Sequence, residues 1–159
     1  MSDTFVSVPD AGKFEFKECL RHMRDGHWEE ALVNARRALE ISPQNPFYLS
    51  YSGLLTALAE NPDLDAEKLC KEAVAMKHNN AQLYLNLAQV YLQAGQTTDA
   101  IATLEKGLIS TGRDVRIRRA LKRIGLRREP VLFFLRRSHP LNRTLGKLRH
   151  RLAGPSKAV

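Results

Sequence analysis

The sequence predicts an all-α protein built from stacked helix pairs, and three observations support this fold class. Small residues recur with steps of 34 or 35 residues in three series: Cys19, Gly53 and Ala88; Ala31, Ala66 and Ala100; and Ala38, Ala73 and Gly107. Two segments of helical length, with apolar residues at helical spacing, fit inside each period. An amphipathic segment with one apolar and one basic face follows the third period. Because one pair cannot bury its apolar face alone, we expect the pairs to stack.

The helices follow from the apolar spacing and from the breaking residues between them. Gly26 and Gly95 mark turns inside the first and third pairs, and Pro46 suits the first turn of the third helix. In the middle pair a turn over residues 60–63 replaces the glycine and adds one residue to the period. We expect helices at about residues 13–25, 28–41, 46–59, 63–77, 80–94 and 97–110.

The chain continues past the third pair with a strongly basic region. Residues 1–110 carry 10 Lys and Arg against 15 Asp and Glu, whereas residues 111–159 carry 15 against 2. A helix over residues 113–125 has Ile117, Ala120, Leu121 and Ile124 on one face, so we expect it to cap the stack. The basic C-terminal extension, residues 126–159, has apolar stripes that predict docking on the stack. Residues 1–12 are expected to be flexible.

The third period carries the clearest family signature, in the run AQLYLNLAQVYLQAGQTTDAIATLEKGLIS. It resembles the tetratricopeptide repeat family through Tyr84, Leu87, Ala88, Tyr91, Gly95, Ala100, Leu104 and Gly107. The first period matches through Trp28, Glu30, Ala31, Ala38 and Pro43, and the middle one through Leu49, Gly53, Ala66 and Ala73. The resemblance implies three repeats (13–45, 46–80 and 81–112), an all-α helical solenoid with a right-handed superhelix of antiparallel helix pairs, and a concave face built from the first helix of each repeat.

The resemblance also implies a function, which is to hold a partner polypeptide in the concave groove without catalysis. Apolar, aromatic and amide side chains together suit a peptide segment laid in such a groove. Phe16 and Leu20 lie on the same face, but we expect both to pack against a neighbouring helix. The expected lining residues are Lys13, Lys17, Phe47, Ser50, Tyr51, Leu54, Gln82, Leu85, Asn86, Gln89 and Gln93.

One ligand type known in the family is excluded by the residues present. Co-chaperone members clamp a C-terminal carboxylate with Lys, Asn and Arg side chains on these first helices. The corresponding positions in this sequence hold Phe16, Leu20, Tyr51, Gln82 and Asn86. We therefore expect no carboxylate clamp of that type.

Catalytic or metal chemistry is not indicated by any motif. The five histidines have no metal-ligand spacing, Cys19 and Cys70 occupy interior repeat positions, and no phosphate-binding glycine loop is present. We expect no enzyme, no cofactor, no metal and no small-molecule substrate. Two cysteines and no visible secretory signal favour a reduced, cytoplasmic protein.

The basic region leaves two alternative functions open. A nucleic acid or an anionic membrane surface could bind the exposed cations, with the repeats serving assembly. A small secretion-type chaperone is the other alternative, and a homo-oligomer is also left open. The residues expected on the basic surface are Arg116, Arg118, Arg119, Lys122, Arg123, Arg143, Lys147 and Arg151.

Overall fold

The computed structural model describes residues 12–60 and 64–125, which form seven α-helices and, within those two ranges, no strand. The predicted all-α class is confirmed. The chain divides into two units after Ile124, and the described helices lie in the first unit apart from Gly125. The helices are α1 Lys13–Asp25, α2 Trp28–Ile41, α3 Pro46–Ala59, α4 Leu64–Met76, α5 Ala81–Gln93, α6 Thr97–Ser110 and α7 Val115–Gly125.

Several of these helices begin or end beside residues that favour a helix terminus. Gly26 and Gly95 follow α1 and α5 with φ angles of 81° and 76°, in the left-handed region that glycine enters without steric cost. The Asn45 side chain accepts a hydrogen bond from the Phe47 N–H at 2.9 Å and caps α3. Asn80 caps α5 in the same way through the Gln82 N–H at 2.9 Å, so α5 begins one residue later than predicted.

The nine recurring small residues are all buried, and two of them, Gly53 and Gly107, lie where paired helices approach closely. A Cβ atom on Gly53 would lie 2.5 Å from the carbonyl oxygen of Ala66, in α4. A Cβ atom on Gly107 would lie 2.6 Å from Cγ of Tyr84, in α5. Such distances are too short for real Cβ contacts, so the spacing of α3 from α4 and of α5 from α6 depends on the missing side chain.

The core of the described residues consists of two apolar clusters. The smaller one joins α1, α2 and α3 through Cys19, Leu32 and Leu55. The larger one extends from α3 to α7 and includes Ile117, which is completely buried. Ala120, Leu121 and Ile124, the rest of the apolar face of α7, pack against the same cluster. The interpretation of α7 as a cap on this core agrees with these contacts.

Polar contacts on the surface link helices of neighbouring pairs. Arg36 of α2 forms two hydrogen bonds with Glu60, the residue after α3, at 3.1 and 2.8 Å. Glu67 of α4 pairs with Lys71 at 2.5 Å and accepts a hydrogen bond from the Tyr91 hydroxyl, in α5, at 3.2 Å. Such exposed pairs contribute little each, so the apolar clusters supply most of the stability.

Several predictions fall on residues that the structure does not describe. The turn at residues 61–63, the segment 1–11 and the extension 126–159 all lie outside the described ranges. Arg143, Lys147 and Arg151 of the expected basic surface belong to that extension. Among the helices that are described, none has the length and apolar character needed to cross a membrane.

Candidate functional site

The floor of the expected groove is a buried polar contact between α3 and α5. The Asn86 side-chain amide donates to the Ser50 hydroxyl at 3.0 Å, and Gln82 donates to the Asn86 side-chain oxygen at 2.9 Å. Ser50 is 0% exposed and Asn86 2%. Ser50 is one of the predicted groove residues, but in this structure α5 covers its hydroxyl. Its role is to satisfy the buried Asn86 amide.

A cleft of about 340 Å³ lies beside this floor and is bounded by α5 and α7. Five predicted groove residues line it: Leu54, Gln82, Leu85, Asn86 and Gln89. Leu54 and Asn86 are nearly buried, so they form its base and not its rim. The remaining lining residues are Ala88, Leu92, Leu104, Ala120, Arg123 and Ile124.

Helix α7 supplies a wall of the cleft, although none of the predicted groove residues belongs to this helix. Ala120 and Ile124 belong to the apolar face for which the sequence predicts capping, and Arg123 belongs to the predicted basic surface. The sequence offers one signal for this wall, which is the length of the apolar face of α7. That face includes Ile117, which is buried in the core, and continues to Ile124.

The aromatic side chains of α1 and α3 pack on one another next to the groove. The Phe16 ring lies 4.8 Å from the Tyr48 ring and 5.1 Å from the Tyr51 ring, measured between centroids. Phe16 therefore packs against the neighbouring helix, as expected. Burial raises the pKa of the Tyr51 hydroxyl, and the positive charge of Arg116 acts in the opposite direction. Arg116 of α7 thus lies close enough to α3 to influence this hydroxyl.

The other expected groove residues are not in the cleft. Lys13, Lys17 and Gln93 are exposed. Phe47 lies with Lys77 in a separate shallow depression beside the loop that precedes α3, and the Lys77 ammonium is 5.1 Å from the centre of the Phe47 ring. The structure therefore brings together only some of the predicted groove residues, and most of these lie on α5.

The cations of α7 differ in their partners. All five are exposed. Arg116 pairs with Asp114 at 3.0 Å, and Arg118 donates to the Arg113 carbonyl oxygen at 3.2 Å. Among the described residues no carboxylate lies within ion-pair distance of the other three, which are Arg119, Lys122 and Arg123. Only Arg123 of these five also lines the cleft.

The titratable side chains give no catalytic arrangement in the part of the chain that is described. Cys19 and Cys70 are completely buried and unpaired, and burial raises the pKa of each thiol to about 12. The Cys70 thiol donates to the Ser50 carbonyl oxygen at 3.3 Å. Both thiols are protonated near neutral pH and lack the thiolate that nucleophilic chemistry needs. No group of three His, Cys, Asp or Glu side chains in these ranges could hold a metal ion.

The comparison with known families agrees with the helix pairs and the small-residue series. The profile of the tetratricopeptide repeat family matches residues 64–124, from α4 to the apolar end of α7. This part of the chain, less than half of its length, is similar to tetratricopeptide repeats. A curated relative, the TPR repeat-containing thioredoxin TTL4 of Arabidopsis thaliana, is 38% identical over 78 residues. That match covers 48% of this chain and 11% of the relative, so this chain spans a small part of the relative's length.

Solved structures of tetratricopeptide repeats share the fold of this chain. The Sgt2 TPR domain from Aspergillus fumigatus has a TM-score of 0.62 at 17% identity, covering 93% of this chain and 87% of that one. The first TPR of Spaghetti (RPAP3), bound to HSP90 peptide SRMEEVD, has a TM-score of 0.61 at 16% identity, with coverages of 73% and 94%. An O-GlcNAc transferase mutant from Thermobaculum terrenum has a TM-score of 0.62 at 26% identity, covering 71% of this chain and 22% of that chain.

Proposed function

We propose that this chain is a non-catalytic interaction module that binds a segment of a partner polypeptide in the cleft between α5 and α7. The observation that carries the proposal is the composition of the cleft. Apolar side chains of α5 and α7, including Leu85, Leu92 and Ile124, face a common space, and the amides of Gln82 and Gln89 lie beside them. Apolar walls with a few placed polar groups are typical of binding sites.

The size of the cleft suits side chains of a peptide and not a folded domain. Its volume of about 340 Å³ is near the lower end of the ~300–1,000 Å³ range for binding pockets. One or two apolar side chains of a partner segment would fill it. The Gln82 and Gln89 amides can both donate and accept hydrogen bonds, so they suit the peptide groups of such a segment.

The structural neighbours support a polypeptide as the ligand class. The first TPR of RPAP3 is bound to an HSP90 peptide, and the TPR2B domain of yeast Sti1 is in a complex with pHsp70. In this chain, however, Phe16 is packed on Tyr48 and Tyr51, and Asn86 is engaged in the floor. The proposed ligand is therefore an internal segment with apolar side chains, and not a chain end held by a carboxylate clamp.

Selection of peptides tests this function. A random dodecapeptide library displayed on phage is selected on the purified 159-residue chain, and enriched peptides are titrated by fluorescence anisotropy. Leu85→Lys places a charge in the cleft, and we expect it to weaken binding at least tenfold. The control Ile109→Lys changes a residue of α6 that is 82% exposed, and it should leave affinity unchanged. Peptides that bind wild type and Leu85→Lys equally would refute the proposal, provided that both variants retain the helical circular dichroism of wild type.

The exposed cations of α7 favour a second candidate function, which is binding to phosphate groups of a nucleic acid or an anionic membrane. Arg119 and Lys122 are exposed, do not line the cleft and have no carboxylate within ion-pair distance among the described residues. Binding to nucleic-acid phosphates would weaken steeply with salt, by roughly 10³-fold or more between 50 and 200 mM for six or more contacts. Peptide binding in an apolar cleft would change far less.

A further inference from the structure

Arg123 is the charged residue of the cleft lining. The other ten lining residues are apolar or carry neutral amides, and the whole lining belongs to the described part of the chain. Its guanidinium has no carboxylate partner there within ion-pair distance. The cleft therefore combines an apolar space with an adjacent cation that no described acidic side chain neutralises.

The positive charge beside the cleft is reinforced by the rest of α7. Residues 113–124 hold six Lys and Arg residues and one acidic residue, Asp114. Asp114 is already engaged, since Arg116 contacts it through both a backbone and side-chain hydrogen bonds at 2.7 to 3.2 Å. An anionic group near Arg123 consequently meets the positive potential of the α7 cations, and no described carboxylate lies within ion-pair distance of the guanidinium.

The chemistry of arginine at an apolar edge favours a carboxylate as its partner. A guanidinium offers parallel N–H donors that match the two oxygens of Asp or Glu, and it is more weakly hydrated than an ammonium group. Leu92 and Ile124 line the same cleft, so a carboxylate paired with Arg123 would have apolar side chains next to it. No aromatic side chain lines the cleft, so a stacked nucleic-acid base finds no platform there.

We propose that the cleft selects segments in which an apolar residue stands next to, or one position from, Asp or Glu. The apolar side chain enters between α5 and α7, and the carboxylate accepts hydrogen bonds from Arg123. This inference rests on the proposed function, because it names the ligand chemistry of the same cleft. Arg123 is then a residue that determines specificity, supplied by the helix after the last pair.

A change of specificity provides the test. The dodecapeptide library is selected in parallel on wild type, Arg123→Glu and Arg119→Glu. Arg119 is exposed on the same helix but does not line the cleft, so the two variants change the net charge equally. We expect wild type and Arg119→Glu to enrich Asp or Glu beside Leu, Ile, Met or Phe. Arg123→Glu should lose this preference and enrich Lys or Arg, and it should bind the wild-type peptides about tenfold more weakly, as expected for one lost charge-assisted pair.

The other outcomes separate this inference from the proposed function. Peptides that require Leu85 but show no acidic preference, or that bind Arg123→Glu unchanged, would overturn the role of Arg123 and leave the cleft as the binding site. Equal losses of peptide affinity in Arg123→Glu and Arg119→Glu would overturn the specific role of Arg123, because they would indicate a general effect of the positive charge of α7. Selection that enriches no peptide sensitive to Leu85→Lys would overturn both proposals. Tight, salt-sensitive binding of single-stranded RNA or phosphatidylserine vesicles, with no peptide enriched, would favour the second candidate function and overturn both as well.

Discussion

At Gly107 the Tyr84 side chain occupies the space that a Cβ atom would need. The Tyr84 side chain of α5 therefore packs directly against the backbone of α6 at Gly107. Ala100, one of the other small positions of α6, is also completely buried. At such positions the size of the residue determines the distance between helices, because the interior is close-packed and cannot absorb additional methylene groups without moving a helix.

Enlarging a small position should therefore destabilise the protein. We expect Ala100→Leu, and likewise Ala73→Leu, to lower the free energy of unfolding by roughly 1–3 kcal/mol, because the added side chain forces paired helices apart. Ala102→Leu is the matched control, since Ala102 is exposed on the same helix. Urea denaturation followed by circular dichroism measures the difference. Unchanged midpoints for both buried variants would show that the small residues do not set the helix spacing.

The buried thiols predict a pH dependence of stability. Each thiol has its pKa raised from 9.0 to about 12 in the folded protein. Between these values the unfolded chain releases the thiol proton and the folded protein keeps it, so stability falls as pH rises from about 9 toward 12. The expected loss is about 1 kcal/mol per thiol between pH 8.5 and 10.

Denaturation of wild type and of a Cys19→Ala, Cys70→Ala double variant over this pH range measures that contribution. The comparison removes the effect of tyrosines and lysines, which titrate in both proteins. We expect the unfolding free energy of the double variant to fall less steeply with pH than that of wild type. Identical slopes would mean that the thiols ionise equally in the folded and unfolded states.

Helix α7 depends on one completely buried side chain, Ile117. The helix VRIRRALKRIG is otherwise rich in cations that repel one another, so its position comes from apolar contact with the core and not from its charges. Ile117→Ala should cost roughly 2–5 kcal/mol, the range for removing a large buried side chain. Val115→Ala, at a residue that is 52% exposed, should stay within about 0.5 kcal/mol of wild type.

Thermal denaturation of the two α7 variants measures both changes. If Ile117→Ala is as stable as Val115→Ala, α7 is not held by this contact. The same variant also bears on the cleft, because a displaced α7 would remove Ala120, Arg123 and Ile124 from its wall. Peptide affinity should therefore fall in Ile117→Ala and remain unchanged in Val115→Ala.

The helices could be predicted to within about two residues because their signals are local. Gly26 ends a helix through its own backbone conformation, and Asn45 caps one through a contact two residues away. The site could be predicted only in part, because it depends on how separate helices approach. Ser50 has the spacing of a groove residue, yet α5 covers it through Asn86. No pattern within α3 reports that contact, since the partner lies 36 residues further along the chain.

At the scale of the whole molecule, the candidate site belongs to no single helix pair. Leu54 comes from the second pair, Leu85 and Gln89 from the third, and Arg123 from α7. The second and third pairs and α7 all contribute residues, and only stacking brings these residues to one cleft. A repeat pattern thus predicts the scaffold well and the ligand poorly, because family signatures describe the small and apolar residues that every copy needs.

The wall supplied by α7 has a consequence for how such a protein can be rearranged or redesigned. Each of the three helix pairs has its own buried small residues, whereas Arg123 belongs to α7, the last described helix. A transplant of residues 12–112 into another protein would carry the scaffold without the charged wall. If Arg123 has the role proposed above, grafting α7 behind a different array of pairs would transfer the acidic preference to that protein. The proposal thus makes ligand choice depend on the last described helix more than on the number of repeats.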